Sequence, residues 1–169
     1  GSTTVISSDK TGTLTKNEMT VKEIYANNQL IFVTGEGYSI TGDFLVDNKK
    51  INAEPLHNLL QAGASCNNSF LPNIGDPTEL SLLVLAKKAG IQKIKERVHE
   101  VPFDSNKKYM VTTHKIHGEE ISFFKGAPEK ILGFCEYLEV NNKVMKLSKK
   151  DVTKIEEVQT DMTNRALRV

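Results

Sequence analysis

Most strand-forming runs in this sequence are joined to the next run by turn residues and not by crossover helices. Several such runs lie within residues 19–40, separated at Asn27-Asn28, Gly35 and Gly37. Three more cover residues 95–103, 109–116 and 120–125, and a polar hairpin is centred on Asn141-Asn142. Short turns join antiparallel strands, whereas parallel neighbours need a long crossover connection. The sequence therefore predicts an α+β fold with an antiparallel β-sheet flanked by helices.

The helices are predicted from apolar residues that recur at helical spacing. They cover residues 53–66, 76–89 and 148–165, with a short fourth helix after Pro128. In the last long helix the predicted buried stripe consists of Val152, Ile155, Val158 and Met162. Ser148 and Asp151 before it form an S-x-x-D helix start.

Composition excludes some functions and allows others. The chain has 169 residues, enough for one domain with a core, and its net charge of +1 gives no general attraction to nucleic acid. No apolar run approaches the roughly 20 residues of a membrane helix. Cys66 and Cys135 are far apart in sequence and are expected to be free thiols.

A heptapeptide, DKTGTLT, follows directly after a predicted strand at residues 3–8. Its first residue, Asp9, would lie at the C-terminal end of that strand, where α/β sheets bind ligands. Gly12 and the threonines form a tight turn whose backbone N–H groups can face phosphate oxygens. An isolated Asp-Lys pair would indicate only a capped turn, but seven such residues favour a phosphoryl-transfer site in which Asp9 is the nucleophile.

The heptapeptide resembles the phosphorylation motif of P-type ATPases, and SSDKTGTLTKNEMTV is similar to the type II, calcium-pump-like branch. The resemblance continues in family order through TGEGYSITGDF, GDPTELSLLVLA, PFDSNKKYM, FFKGAPEKIL and NRALRV. The Ser-Glu-His-Pro motif expected of the heavy-metal branch does not occur. The resemblance implies a nucleotide-binding domain that uses ATP and Mg²⁺, on the cytoplasmic side of an integral membrane protein.

The resemblance also implies how the chain is divided. Residues 1–18 would comprise a cloning remnant, Gly1-Ser2, and a truncated strand and loop of the phosphorylation domain. Residues 19–169 would form the nucleotide-binding domain with its hinge ends. Its partners would be ATP, the phosphorylation, actuator and membrane domains of the same pump, and the transported cation. Calcium is the leading expectation, with sodium/potassium-type and manganese-type pumps left open.

Catalytic roles follow for the heptapeptide. Asp9 would accept the phosphoryl group, and Lys10 would neutralise phosphate charge. The Thr11 carbonyl and Asp9 would bind Mg²⁺, while the Thr13 hydroxyl would contact a phosphate oxygen.

Nucleotide-binding roles fall on six further residues: Glu79, Phe103, Lys108, Lys125, Gly126 and Arg168. Glu79 would face the adenine amino group, although Asp76, Pro77 and Glu79 also form an ordinary helix start. Phe103 would stack on adenine, against the alternative of a core aromatic residue. Lys125 would bind an anion beside Gly126, a wall of the adenine pocket, with Lys108 and Arg168 near the phosphates. Ser105 replaces an arginine found in many calcium-pump relatives.

Two other functions are weighed against this one. Soluble phosphatases of the haloacid dehalogenase class share the nucleophilic aspartate but carry a second aspartate two residues later, where this chain has Thr11. A non-catalytic interaction module would not respond to nucleotide. Because the later carboxylates and lysine of the family's phosphorylation domain are absent from the sequence, the chain is expected to bind ATP without turning it over.

Overall fold

The computed structural model describes residues 18–94 and 96–169. In that part of the chain nine strands and four α-helices give an α+β arrangement, as predicted. The strands are β1 Glu23–Ala26, β2 Gln29–Val33, β3 Phe44–Val46, β4 Lys49–Lys50, β5 Arg97–Asp104, β6 Tyr109–Ile116, β7 Glu119–Gly126, β8 Tyr137–Val140 and β9 Lys143–Lys146. The helices are α1 His57–Ser65, preceded by a 3-10 turn at Glu54–Leu56, then α2 Pro77–Lys88, α3 Pro128–Leu132 and α4 Lys149–Asn164.

Every strand pair among these residues is antiparallel, but the strands form three sheets, so the expected single sheet is wrong. The sheets have the orders β1-β2-β3-β4, β5-β6-β7 and β8-β9. Two-residue turns at Asn27-Asn28, Asp47-Asn48 and Asn141-Asn142 have positive φ at both positions. Such turns match the twist of a hairpin and make pairing local. Helices α1 and α2 lie between β4 and β5, and α3 lies between β7 and β8, so that helices separate the three sheets along the chain.

The segment between β2 and β3 also departs from the prediction. GYSI was expected to be a strand, but residues 34–43 form a loop in which Gly35, Gly37 and Gly42 have positive φ. A turn hydrogen bond from the Ser39 N–H to the Glu36 carbonyl replaces strand pairing. The hairpin of β3 and β4 was not predicted. Hydrophobic periodicity does not predict glycine-rich loops of this kind. Their conformation depends on glycines that can adopt positive φ, and not on which side chains are buried.

The main core lies between the first sheet and helices α1 and α2. Its buried side chains are Ile24, Ile31, Val33, Phe44, Leu56, Leu60, Ala64, Leu83, Leu85, Ala86 and Ile91. Helix α1 packs against α2 and also reaches β7 of the second sheet. The end of α1 is therefore held between the two larger sheets.

A buried polar layer fixes that end of α1 to β6. The Thr112 hydroxyl donates to the Ser65 carbonyl over 3.3 Å, and His114 Nε2 lies 3.0 Å from Thr112 Oγ1. The Cys66 thiol, which is buried and free, donates to the Met110 carbonyl over 3.5 Å. These contacts fix the position of the C-terminal end of α1, and with it the start of the segment that follows.

Helix α4 begins as the sequence predicted. Ser148 and Asp151 form a capping box, in which the Ser148 hydroxyl accepts from the Asp151 N–H and the Asp151 carboxylate accepts from the Ser148 N–H. Val152, Ile155 and Val158 are half-buried, and Met162 is buried.

The last turn of α4 is fastened to β1. The Arg165 guanidinium donates from Nη1 and Nη2 to the two carboxylate oxygens of Glu23, the second bond being 2.7 Å long, and it also binds Asp161. The Glu23 side chain is only 8% exposed. This Glu23–Arg165 clasp joins the first strand to the last helix.

No helix in residues 18–94 or 96–169 is long and apolar enough to cross a membrane.

Candidate functional site

At the start of helix α2, the Glu79 carboxylate is not used for capping and can bind groups outside the helix. Asp76 Oδ1 accepts from the Thr78 N–H over 2.8 Å and from the Glu79 N–H over 3.2 Å, which confirms the predicted N-cap. The cap is thus completed by Asp76 alone. The Glu79 side chain points instead toward residues outside the helix.

The Glu79 carboxylate is held by three donors. Its Oε1 accepts from Lys125 Nζ over 2.7 Å, and its Oε2 accepts from the Asn68 N–H over 2.8 Å and from the Ser69 hydroxyl over 3.1 Å. Burial alone would raise the pKa of Glu79, but the hydrogen bond and charge of Lys125, with those two donors, lower the pKa below its ordinary value. Glu79 and Lys125 therefore form a charged pair that is only 15% and 24% exposed at its side chains.

Strand register gathers four of the predicted residues at one end of the second sheet. Asp104 at the end of β5 is opposite Tyr109, and Tyr109 is opposite Gly126. Lys125 is opposite Met110. Phe103, Lys108, Lys125 and Gly126 consequently lie together at this end, with the first turn of α2 joined to it through Glu79 and Lys125.

Phe103 is an exposed aromatic residue and not a core residue. Its exposed fraction is 61%, and the pairing of β5 with β6 is irregular between Val101 and Asp104, the stretch that contains it. Irregularities of this kind turn side chains away from the regular pleat and occur often beside binding sites. The core interpretation of Phe103 is therefore wrong, and its ring is free to stack on a ligand.

Lys108 and Gly126 both have contacts that sequence reasoning did not anticipate. Lys108 has φ of +61° and its Nζ lies 3.2 Å from Glu129 Oε1, in a half-exposed ion pair. A Cβ at Gly126 would lie 2.6 Å from Tyr109 Cβ and would overlap the Lys108 carbonyl oxygen. Glycine is thus required there by the close approach of β6, independently of any ligand.

Several residues near Glu79 were not predicted from the sequence as part of the site. Lys93 Nζ lies 4.6 Å from the centre of the Phe70 ring and donates to the Asn67 carbonyl. Burial, and then the charge of Arg97, lower the pKa of Lys93. The available signal was the polar run Asn67–Ser69 directly after an apolar helix, since polar residues buried at such a place must find partners.

The remaining predicted residues are not brought into this cluster. Arg168 is exposed after α4, and none of the hydrogen bonds among the described residues joins it to Glu79 or Lys125. Asp9, Lys10, Thr11 and Thr13 lie outside the described residues, as does the predicted strand before them. In the described part of the chain no group of three or more His, Cys, Asp or Glu residues could hold a metal ion.

Chemically, the arrangement offers a stacking surface, a carboxylate acceptor and a lysine donor at one sheet end. A family model described as P-type ATPase, cytoplasmic domain N, matches residues 55–169, the stretch that contains this whole arrangement. The chain belongs to this family. The domain N match thus includes Glu79, Phe103, Lys108, Lys125, Gly126 and Arg168.

Curated relatives are transport ATPases by name. The chain is 39% identical over its whole length to the cation-transporting ATPase pma1 of Synechocystis, and 38% identical to calcium-transporting ATPase 1 of Bacillus cereus. It is 34% identical to the human calcium-transporting ATPase type 2C member 1. In each case all of this chain aligns with 18–21% of the relative. This P-type ATPase domain therefore spans about a fifth of the length of those proteins.

Proposed function

We propose that this chain is the ATP-binding domain of a membrane cation pump, and that the pump transports calcium. The observation that carries the proposal is the shielded Glu79–Lys125 pair at the sheet end that also presents an exposed Phe103. The names of the relatives support cation transport, and two of them specify calcium. Calcium would be transported by parts of the pump outside this domain. The proposal that the ion is calcium therefore rests on the names of the relatives alone.

In the proposed complex, adenine stacks on Phe103, and its amino group donates to Glu79 Oε1. Lys125 Nζ, which already donates to that oxygen, supplies a second polar contact, and Gly126 lines the pocket. Lys108 and Arg168 contact the phosphates. Since Lys108 is paired with Glu129 in the free domain, phosphate must compete with that carboxylate. The pair is half-exposed and such pairs are weak, so the competition costs little.

In the parent pump, the proposed reaction is phosphoryl transfer to Asp9. A carboxylate oxygen of Asp9 bonds to the γ-phosphorus while the bond from that phosphorus to the β–γ bridging oxygen breaks, and ADP leaves. Lys10 and Thr13 bind the transferred group. Asp9 and the Thr11 carbonyl would hold Mg²⁺, which would supply charge neutralisation. The domain alone binds ATP without this reaction, because the transfer needs groups from the rest of the pump.

The alternatives are less well supported. A soluble phosphatase of the haloacid dehalogenase class would need its second aspartate where Thr11 stands. A pure interaction module is less well supported, because the relatives are transport ATPases by name and the domain N match covers the proposed nucleotide-binding residues.

The test compares nucleotide binding in two phenylalanine variants. We expect the 169-residue chain to bind ATP with a Kd on the order of 0.1 to several mM, more tightly than GTP, by NMR chemical-shift titration. Phe103→Ala should weaken ATP binding by about 1–3 kcal/mol, the usual value of a base stack. Phe32→Ala is the matched control, because Phe32 is also exposed but lies on β2 of the first sheet. Equal ATP affinities in the folded Phe103→Ala variant and the wild type would refute the site.

A further inference from the structure

The segment that carries two of the donors to Glu79 receives more than one hydrogen bond from a single side chain, Arg97. Thr112 and Lys93 each add one hydrogen bond to the same segment. Arg97, at the start of β5, donates from Nη2 to the carbonyls of Ser65 and Asn67, over 3.2 and 2.7 Å. Its Nη1 donates to Asn68 Oδ1 over 2.5 Å and to Glu100 Oε2 over 2.7 Å. The Arg97 side chain is 21% exposed. One guanidinium thus binds three of the four residues at positions 65–68.

On its other side the same segment meets Glu79. The Asn68 N–H and the Ser69 hydroxyl both donate to Oε2, and Asn67 Nδ2 donates to the Glu79 backbone carbonyl over 2.8 Å. The Ser69 N–H donates to Asn67 Oδ1 over 2.9 Å, which locks the segment internally. Asn67 and Ser69 are almost fully buried. The segment therefore acts as a rigid connection between Arg97 and Glu79.

We propose that Arg97 is a positioning residue for Glu79. By holding residues 65–68, it keeps the Asn68 N–H and the Ser69 hydroxyl on Oε2, so that Oε1 is the carboxylate oxygen presented with Lys125 to a ligand. The ligand part of this inference rests on the proposed function. Adenine has an amino group where guanine has a carbonyl oxygen, and a fixed carboxylate oxygen accepts from the first and repels the second. Arg97 thereby sets base selectivity without touching the base.

The role requires the shape of an arginine and not only its charge. A guanidinium offers several N–H donors in a planar fork, whereas a lysine offers a point charge with no fixed fork. Lys93 also donates to the Asn67 carbonyl, but it has no contact of this kind with the Ser65 carbonyl or with Asn68 Oδ1. Lysine at position 97 is therefore expected to preserve the charge and lose the positioning.

The experiment compares Arg97→Ala and Arg97→Lys with Lys50→Ala, which removes an exposed cation on β4 of the first sheet. The first measurement uses the nucleotide-free chain. Because the Asn68 N–H is bound to the Glu79 carboxylate, its proton chemical shift should follow the titration of the Glu79 side-chain carbon in the wild type and in Lys50→Ala. In both Arg97 variants this joint titration should be lost or strongly reduced.

The second measurement is the affinity for ATP and for GTP. Arg97→Lys should weaken ATP binding at least about threefold, with a smaller effect on GTP, so that the ratio of the two affinities falls. An Arg97→Lys variant that keeps the joint titration of Asn68 and Glu79 overturns the inference, and so does one that keeps the ATP-to-GTP ratio while the wild type binds ATP. Failure of the wild type to bind ATP refutes the proposed function, and the titration of the free chain then decides the positioning role alone.

Discussion

Lys125 Nζ donates a 2.7 Å hydrogen bond to Glu79 Oε1, and this bond ties strand β7 to the first turn of helix α2 across 46 residues of sequence. The same pair is the centre of the proposed adenine site. In this proposal one contact serves both the stability of the domain and the orientation of the carboxylate that would accept from adenine. Substitutions at either residue should change both properties.

The stabilising effect of Glu79 should depend on pH in a defined direction. Since its pKa is lower in the folded protein than its ordinary value of 4.5, Glu79 stabilises the fold above that pH, and the effect is lost as the pH falls through the folded pKa. We expect Glu79→Gln to lower the free energy of unfolding at pH 7 by about 1–3 kcal/mol. The difference from the wild type should shrink below pH 4.5, as measured by urea unfolding at several pH values.

Glu120→Gln is the control for this measurement, because Glu120 is exposed on the same strand as Lys125. It should leave the free energy of unfolding nearly unchanged at every pH of the series. A Glu79→Gln variant whose deficit stays constant down to pH 3 would show that the carboxylate charge is not what stabilises the fold.

Gly126 should tolerate no side chain, because of β6 and not because of nucleotide. Gly126→Ala places a Cβ against the Lys108 carbonyl and 2.6 Å from Tyr109 Cβ, so it should destabilise the free domain by about 1–3 kcal/mol or more. Gly133→Ala is matched to it, since a Cβ there would lie 3.4 Å from its nearest neighbour at a φ of −65°. Thermal unfolding without ligand distinguishes the two. Equal melting temperatures for both variants would contradict the packing role of Gly126.

The sequence was sufficient for features that depend on neighbours along the chain. The cap at Asp76, the capping box at Ser148 and Asp151, and the strands on either side of Gly118 follow from local residue types. Glu79 and Lys125 were both predicted as site residues, and the structure brings them into contact.

Other features could not be predicted because they depend on contacts between distant residues. Arg97 meets the carbonyls of Ser65 and Asn67 across 32 and 30 residues, and no periodicity indicates which carbonyl a strand arginine will reach. The division into three sheets depends similarly on where α1 and α2 pack. Phe103 was ambiguous because an aromatic residue after a proline fits both a core strand and an exposed irregular one.

Phosphoryl transfer should require the whole pump. We expect no acid-stable labelling of the 169-residue chain by γ-labelled ATP with Mg²⁺, because positioning and charge neutralisation need more than the Asp9 loop. In the full-length protein, Asp9→Asn should abolish the phosphoenzyme and leave ATP affinity within about a factor of three, since the carboxylate does not recognise adenosine. Acid gels and nucleotide titrations measure the two properties. Labelling of the short chain would show that the rest of the pump is not required. Labelling of the full-length Asp9→Asn variant would show that Asp9 is not the acceptor.

The Glu23–Arg165 clasp has a mechanical consequence. Its two residues are 142 positions apart, and they close the described core into a loop whose two ends are fastened side by side. A displacement of α4 relative to β1 must therefore break both hydrogen bonds of the clasp, so the movements of these two elements are coupled.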